Sequence, residues 1–390
     1  MNIAVFNGGG QVDYMFGLVS GLAQHKSDSI DVLDVDLTRD IFIPFENVTY
    51  YPVFRVLPKK SATFLSKGLN TTRFYFLQIW YLLSRKKRII HFQWLDRNKF
   101  ADRVVLPLIA RARGHKVVLT VHNINAGKRD NRDSRFNRLT LKILYKLANR
   151  LIVHTAQSRT ELLNEFVIRD NKVAVIKHGM NNRVMLSGIT KQASRQHFGI
   201  QNDEKVILFF GNIDYYKGLD LLVDCLKFLP ADMLGNLKVL IAGNSKSPDY
   251  TNLILEKIKQ SGLQEKIIHH IRYIPDEDVE SYFMAADCIV LPYRNIYQSG
   301  VIFMAYAFGL PLIVSDIGNF RNDIVEGTTG FLIEGSKPED LSATIVRYFD
   351  SDIYHNLEEN RELIKKWAWE QYSWEHIGVE TRSLYQSINR

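Results

Sequence analysis

Residues 205–223 read KVILFFGNIDYYKGLDLLV. Val206–Phe210 is an unbroken apolar run rich in β-formers, the pattern of a strand buried on both faces. Gly211 to Gly218 then form a short polar loop bounded by glycines, and from Leu219 the apolar residues recur with helical spacing. Strand, glycine-bounded loop and helix are half of a βαβ unit, and the same grammar extends in both directions. Downstream, strands are predicted at Val239–Ala242, Ile267–Tyr273, Cys288–Pro292 and Leu312–Ser315. Helices are predicted at Leu219–Phe228, Thr251–Ser261, Asp276–Ala286 and Val301–Phe308. Upstream, strands are predicted at Ile3–Phe6, Val32–Val35, Ile89–Trp94, Val117–His122 and Leu151–His154, with helices including Asp102–Arg113 and Arg138–Asn149. The expectation is an α/β protein with two Rossmann-like domains. These are 1–187 and 204–365, joined by a polar linker at 188–203. Residues 366–390, with aromatic anchors Trp367, Trp369, Tyr372 and Trp374, are expected to form a helix packing back towards the first domain.

The chain's 390 residues suit two domains, and 46% hydrophobic with 24% charged residues excludes disorder and fibrous repeats. Two cysteines, Cys225 and Cys288, are too few for a disulfide framework or a cysteine-rich metal site. Met1–Phe6 reads as a first strand, so no signal peptide is expected. The apolar run Phe74–Leu83 is half the ~20 residues that span a bilayer. Charge is uneven: residues 1–190 hold 30 Lys and Arg against 14 Asp and Glu, so a net +8 divides into +16 and −8. A basic half points to an anionic partner, either nucleic acid or a membrane.

In open α/β sheets ligands bind beyond the carboxyl ends of strands, so the loops there carry the chemistry. Asn7-Gly8-Gly9-Gly10-Gln11 lets backbone approach a ligand, although it matches neither G-x-G-x-x-G nor a Walker loop. His122, in Thr120-Val121-His122-Asn123, ends an apolar strand where a histidine can face a sugar hydroxyl; His91 and His154 read as structural. Lys217 enters a helix near its positive end, which is unfavourable unless an anion is bound. Pro292 to Val301, PYRNIYQSGV, again follows a strand and opens a helix, with Ser299, Gly300 and Val301 at the exposed amides. Lys217 and these amides form a plausible diphosphate clamp. No Asp-x-Asp or metal-ligand spacing is found, so no metal is expected.

In these motifs the chain resembles the retaining glycosyltransferases of the GT-B fold, family four (glycosyl transferases group 1). The resemblance rests on Gly8–Gly10, Thr120–Asn123, Phe210–Gly218, Pro292–Val301, Ala305–Pro311 (AYAFGLP), Val314–Asp316, Gly330–Leu332 and Tyr372–Trp374. It implies two facing Rossmann-like domains with the active site in the cleft between them. It also implies a UDP- or GDP-sugar as co-substrate and transfer to a glycan or lipid-linked acceptor. Lys217 matches the family's diphosphate lysine and His122 a histidine beside the reacting sugar. Gly9, Gly10, Asn212, Gln298, Ser299, Gly300 and Val301 would line the donor, and Tyr273 and Ile274 would meet the base. Two departures stand out. Asn212 replaces a frequent arginine, and Ile296 and Met304 replace two glutamates that touch the donor sugar and the ribose.

Arg85-Lys86-Lys87-Arg88 follows the aromatic run Phe74–Leu83, a pattern suited to an anionic membrane or a lipid-linked acceptor. The setting implied is cytoplasmic, peripheral at the inner face of the membrane. A nucleic-acid-binding protein would explain the basic half but leave both phosphate loops unexplained. An NAD-dependent oxidoreductase would need the glycine fingerprint that is absent.

Overall fold

The computed structural model describes every residue except 9–11, 36–39, 55–63, 96–97, 126, 128–132, 181–186, 297–298 and 390. It divides into two units, Met1–Gly179 with Tyr372–Arg390, and Met180–Gln371. The first is built on seven strands: β1 (Asn2–Phe6), β2 (Ser29–Val35), β3 (Val48–Phe54), β4 (Ile89–Phe92), β5 (Lys116–Thr120), β6 (Arg150–Val153) and β7 (Val173–Val175). Their order is β3-β2-β1-β4-β5-β6-β7. The second has β8 (Lys205–Phe210), β9 (Leu237–Ala242), β10 (Ile267–His270), β11 (Cys288–Leu291), β12 (Leu312–Ser315) and β13 (Gly330–Ile333), in the order β10-β9-β8-β11-β12-β13. All pairings within both sheets are parallel. Such sheets need cover on both faces, which is why Val206–Phe209 and Ile289–Leu291 are fully buried. In each unit the strand order reverses at one point, between β1 and β4 and between β8 and β11, and a crevice opens there at the carboxyl ends.

Eight helices matter below: α1 (Val12–Ala23), α2 (Phe64–Ser84), α3 (Leu106–Ala112), α4 (Lys191–His197), α5 (Leu219–Cys225), α6 (Asp276–Ala285), α7 (Gly300–Ala307) and α8 (Trp374–Asn389). The alternation read from the sequence holds, with three additions. The edge strand β3 contains Pro52, β7 is three residues long, and β13 is four, all too short or too irregular to stand out by period. The expected strands at Ile89–Trp94, Val117–His122 and Ile267–Tyr273 end two or three residues earlier, because their last residues leave the ladder to line the crevices.

The stretch 188–203 is not a simple linker, and the chain passes between units at 179/180 and 371/372 instead. α4 lies within it, started by the Thr190 hydroxyl accepting from the Ala193 amide. Its buried Arg195 donates to both carboxylate oxygens of Asp287 at 2.9 Å and to the carbonyls of Ala285 and Asn202. A polar composition concealed this because the carboxylate that pairs with the arginine lies 92 residues away. α8 belongs to the first unit and lies along α1. A Cβ on Gly21 would sit 2.0 Å from the Trp374 carbonyl oxygen and one on Gly378 would sit 2.4 Å from the Gly21 carbonyl carbon. The glycines are what allow the two helix backbones to touch. Gly21→Val should therefore lower stability by about 1–3 kcal/mol through overpacking. Gly235→Ala, with open space around it, should not. Equal urea midpoints for the two variants would refute this account of the helix contact.

Candidate active site

In the second unit the loops after β8 and β11 are locked together. Gly218 has φ +68° and a Cβ there would meet the Pro292 carbonyl oxygen at 2.0 Å, so only glycine fits this turn. Arg294 ties the loops from the other side. Its backbone amide donates to the Tyr216 carbonyl at 2.8 Å, and its guanidinium donates to the Tyr215 carbonyl and to both carboxylate oxygens of Asp220 at 2.8 and 2.6 Å. The fork geometry of a bidentate pair fixes orientation as well as distance. Tyr250 donates its hydroxyl to the same carboxylate at 2.7 Å. Gly211 lies against Val301 of α7, so the β8 loop also meets the start of that helix.

Lys217 is carried in the middle of this assembly, in the 3-10 turn Tyr215–Lys217 just before α5. It is 7% exposed. Its ammonium lies 3.9 Å from the centroid of the Tyr293 ring and 5.3 Å from that of Tyr216. Among the described residues it has no carboxylate or hydrogen-bond partner. Burial lowers its pKa to about 8, with Tyr216 and Asp214 opposing the shift weakly. A buried cation held only by aromatic faces costs free energy, and a bound anion would recover it. The start of α7 offers matching donors. Ser299 does not cap the helix with its side chain; its hydroxyl lies 3.4 Å from that of buried Tyr293. The amides of Gly300 and Val301 have no acceptor among the described residues, whereas Ile302 donates to the Ser299 carbonyl. A cation and free helix-start amides, joined through Tyr293 and Ser299, suit a diphosphate.

In the first unit the crevice is lined by rings. Gly8 is required there because a Cβ would stand 2.1 Å from the Trp94 carbonyl oxygen. His122 stacks on Trp94 at 3.9 Å with the rings 2° from parallel, and Tyr14 meets it edge-on at 4.6 Å. The hydrogen bonds fix its tautomer. His154 Nδ1 donates to the Ile176 carbonyl at 2.9 Å, so its Nε2 accepts from His122 Nδ1 at 3.4 Å. His122 Nε2 is then an acceptor, and the Gln93 amide 3.0 Å away must turn its NH₂ towards it, its oxygen taking the proton of His91 Nε2. His91 in turn accepts from Tyr385 of α8 at 2.5 Å. Burial holds His122 well below the usual histidine range, lowers His154 to about 4, and lowers His91 and His178 to about 3. All four imidazoles are neutral at pH 7, and both ring nitrogens of His122 are occupied. Its backbone groups, past the end of β5, have no partner among the described residues.

The sequence thus pointed to Lys217, Ser299, Gly300, Val301 and His122, and missed what seats them: Tyr293, Arg294 and Asp220 in one unit, Trp94 and Gln93 in the other. Asn212 is exposed on the same loop as Lys217. Tyr273 is 68% exposed and Ile274 is buried, just past β10, where Gly211, Gly243 and Arg272 continue the neighbouring strand ends by backbone bonds. Gly9, Gly10 and Gln298 lie outside the described residues. The tetrad Arg85–Arg88 is only half available. Arg88 pairs with Asp31 at 2.5 Å, and Arg85 donates to the Tyr51 hydroxyl at 2.6 Å while lying over Tyr51 and Tyr81; Lys86 and Lys87 alone are exposed. Two of the four expected lipid-facing cations are spent inside the unit. Among the described residues no group of three His, Cys, Asp or Glu is placed to hold a metal ion.

Comparison with known proteins places the fold in a family. The model of the glycosyl transferases group 1 family matches residues 190–366 and that of glycosyltransferase family 4 matches residues 8–183. The chain belongs to this family and has the GT-B fold of two Rossmann-like domains. It is 25% identical to an uncharacterised glycosyltransferase of Methanocaldococcus jannaschii, across 97% of this chain and 94% of that one. It is also 25% identical to the D-inositol 3-phosphate glycosyltransferase of Corynebacterium efficiens, across 75% and 67%. Among solved structures it superimposes on Anabaena HepE in complex with UDP-glucose with a TM-score of 0.74, at 15% identity over 99% of both chains. Sucrose-phosphate synthase of Thermosynechococcus elongatus gives 0.72 at 18% identity over 100% and 99%. The protein is a glycosyltransferase.

The setting of Lys217 sets a pH signature. A bound diphosphate favours the charged amine, so UDP affinity should be full below pH 8 and fall as the pH rises through it, with proton uptake on binding. Lys217→Met should weaken UDP binding sharply, flatten that pH profile, and raise the melting temperature of the ligand-free protein by removing the buried charge. Calorimetry at pH 7 and 9 checks this; an unchanged affinity in the variant would contradict the clamp.

Proposed function

We propose that this glycosyltransferase moves a hexosyl group from a UDP- or GDP-sugar to a hydroxyl of a glycan or lipid-linked acceptor, with retention and without a metal. The product would serve bacterial surface polysaccharide or glycolipid synthesis at the inner face of the membrane. No helix among the described residues is long and apolar enough to cross one. The observation that carries the reading is Lys217, buried and without an acidic partner among the described residues, linked through Tyr293 and Ser299 to the start of α7, where the Gly300 and Val301 amides have no acceptor among those residues. The UDP-glucose complex of HepE supports a UDP donor.

In this mechanism the bond between the anomeric carbon and the diphosphate breaks while the acceptor oxygen bonds to that carbon. Lys217 and the two amides stabilise the charge that grows on the leaving group. The acceptor proton passes to the departing phosphate on the same face, which gives retention without a carboxylate nucleophile. His122, neutral and held between Gln93 and His154, offers its backbone carbonyl to the donor sugar. A thermal-shift panel of nucleotide sugars tests the donor, since a ligand at 100 times its Kd adds about 2.7 kcal/mol of stability. The anomeric configuration of the product, read by NMR, tests retention; an inverted product overturns it.

His122→Ala should lower kcat at least tenfold and leave UDP affinity within about twofold, because the ring seats the backbone beside the sugar and does not touch the diphosphate. Equal losses in both would make the residue structural. Ile296 and Met304 cannot accept from hydroxyls, so the diphosphate should supply most of the donor affinity. UDP should bind nearly as tightly as UDP-glucose, and uridine at least a hundredfold more weakly. Tight binding of uridine would show that other groups, with Tyr293, Asn295 and Gln298 the nearest polar side chains in the loop, hold the ribose.

A further inference from the structure

The helix α2 carries two faces. Phe74, Gln78, Tyr81 and Leu82 are buried against the first unit's sheet, while Leu69, Phe76, Trp80 and Leu83 are 64%, 65%, 53% and 48% exposed. Steps of 100° per residue place these last four within about 60° of arc, along about 21 Å of helix. Scattered exposed apolar residues are ordinary, but a contiguous stripe with two large aromatics is a docking surface.

What surrounds the stripe selects its occupant. α2 contains no acidic residue, and neither does the loop from Ser84 to Arg88. The nearby carboxylates are used internally, Asp31 by Arg88 and Tyr81, Asp102 by Tyr75 and the Asn98 amide. Cations cluster at the stripe's end. Arg113, just after α3, donates to the Leu83 carbonyl at 2.9 Å, and the Lys87 side chain lies against Gly114. Lys86, Lys87 and Arg113 are exposed and have no acidic partner among the described residues. A second copy docking face to face would set these cations against their own kind. Nucleic acid would leave Leu69 and Leu83 facing phosphates. An anionic bilayer answers both parts, apolar side chains entering the headgroup boundary and ammonium groups meeting lipid phosphates.

We infer that α2 and the adjoining Lys86, Lys87 and Arg113 dock the first unit on an anionic lipid surface, with Phe76 and Trp80 inserted at the interface. The site differs from the basic tetrad expected from the sequence, since it is the stripe that inserts and only two of the four tetrad residues assist. It rests on the membrane placement proposed above and is tested without any sugar donor, so its failure leaves the transferase reading untouched. The full-length protein is sedimented with vesicles of phosphatidylcholine alone or with one quarter phosphatidylglycerol, at 50 and 500 mM salt. Binding should require phosphatidylglycerol and weaken with salt. Lys86→Ala with Lys87→Ala should weaken it about thirtyfold, from about fivefold per cation. Phe76→Ser with Trp80→Ser should abolish it, while both variants keep the wild-type melting temperature. Equal binding to neutral vesicles, or undiminished binding by both variants, overturns the proposal. So does a lipid-free dimer that the Phe76/Trp80 variant dissolves, which would assign the stripe to a second copy.

Discussion

An all-parallel sheet leaves its strands no short return, so each must cross back through a helix and each face must be covered. This constraint shapes both units. It makes the strands uniformly apolar and puts every strand-to-helix loop at one edge. The order reversals between β1 and β4 and between β8 and β11 open that edge into a crevice. The candidate site residues lie at that edge: Gly8, Trp94 and His122 follow β1, β4 and β5, and Lys217, Tyr293 and Ser299 follow β8 and β11.

Within the second crevice, the design is a charge kept waiting. Lys217 is desolvated enough for its pKa to fall to about 8, yet it is given rings rather than a carboxylate. Asp220, in the same assembly, is taken up by Arg294 and Tyr250, and Asp214 accepts from the Tyr215 amide. A carboxylate beside the lysine would have steadied the fold and competed with a diphosphate. The bidentate Asp220–Arg294 pair does the structural task at one remove, holding two loops whose relative position sets where the ammonium points.

The first crevice uses neutral groups instead. Four buried imidazoles within one aromatic cluster would repel one another if charged, and burial keeps them neutral. Hydrogen bonds through three of them run from the Ile176 carbonyl, which fixes the tautomer, to the Tyr385 hydroxyl on a helix from the far end of the chain. The close crossing of α8 over α1 at Gly21 and Gly378 is what brings that hydroxyl within reach.

The two-fold repetition of strand and helix, the placing of loops after strands, and the positions of Lys217, Ser299–Val301 and His122 in those loops were legible in the sequence. Each is a local property: an apolar run of a given period, a glycine where the chain must turn, a cation where a helix begins. The helix at Lys191–His197 was read as linker because Arg195 needs Asp287 to make sense of its burial. The tetrad Arg85–Arg88 looked uniformly exposed because nothing local announces Asp31 or Tyr51 as partners. Period alone likewise could not divide Phe74–Leu83 into a core face and an outer stripe. Sequence by itself determined the fold class and set Lys217, Ser299–Val301 and His122 in the loops after strands, since backbone pattern and residue type suffice for both. Which cations are free, which imidazole nitrogen accepts and what seats Lys217 were decided only by the tertiary structure, because each depends on a partner brought close by folding rather than by the chain.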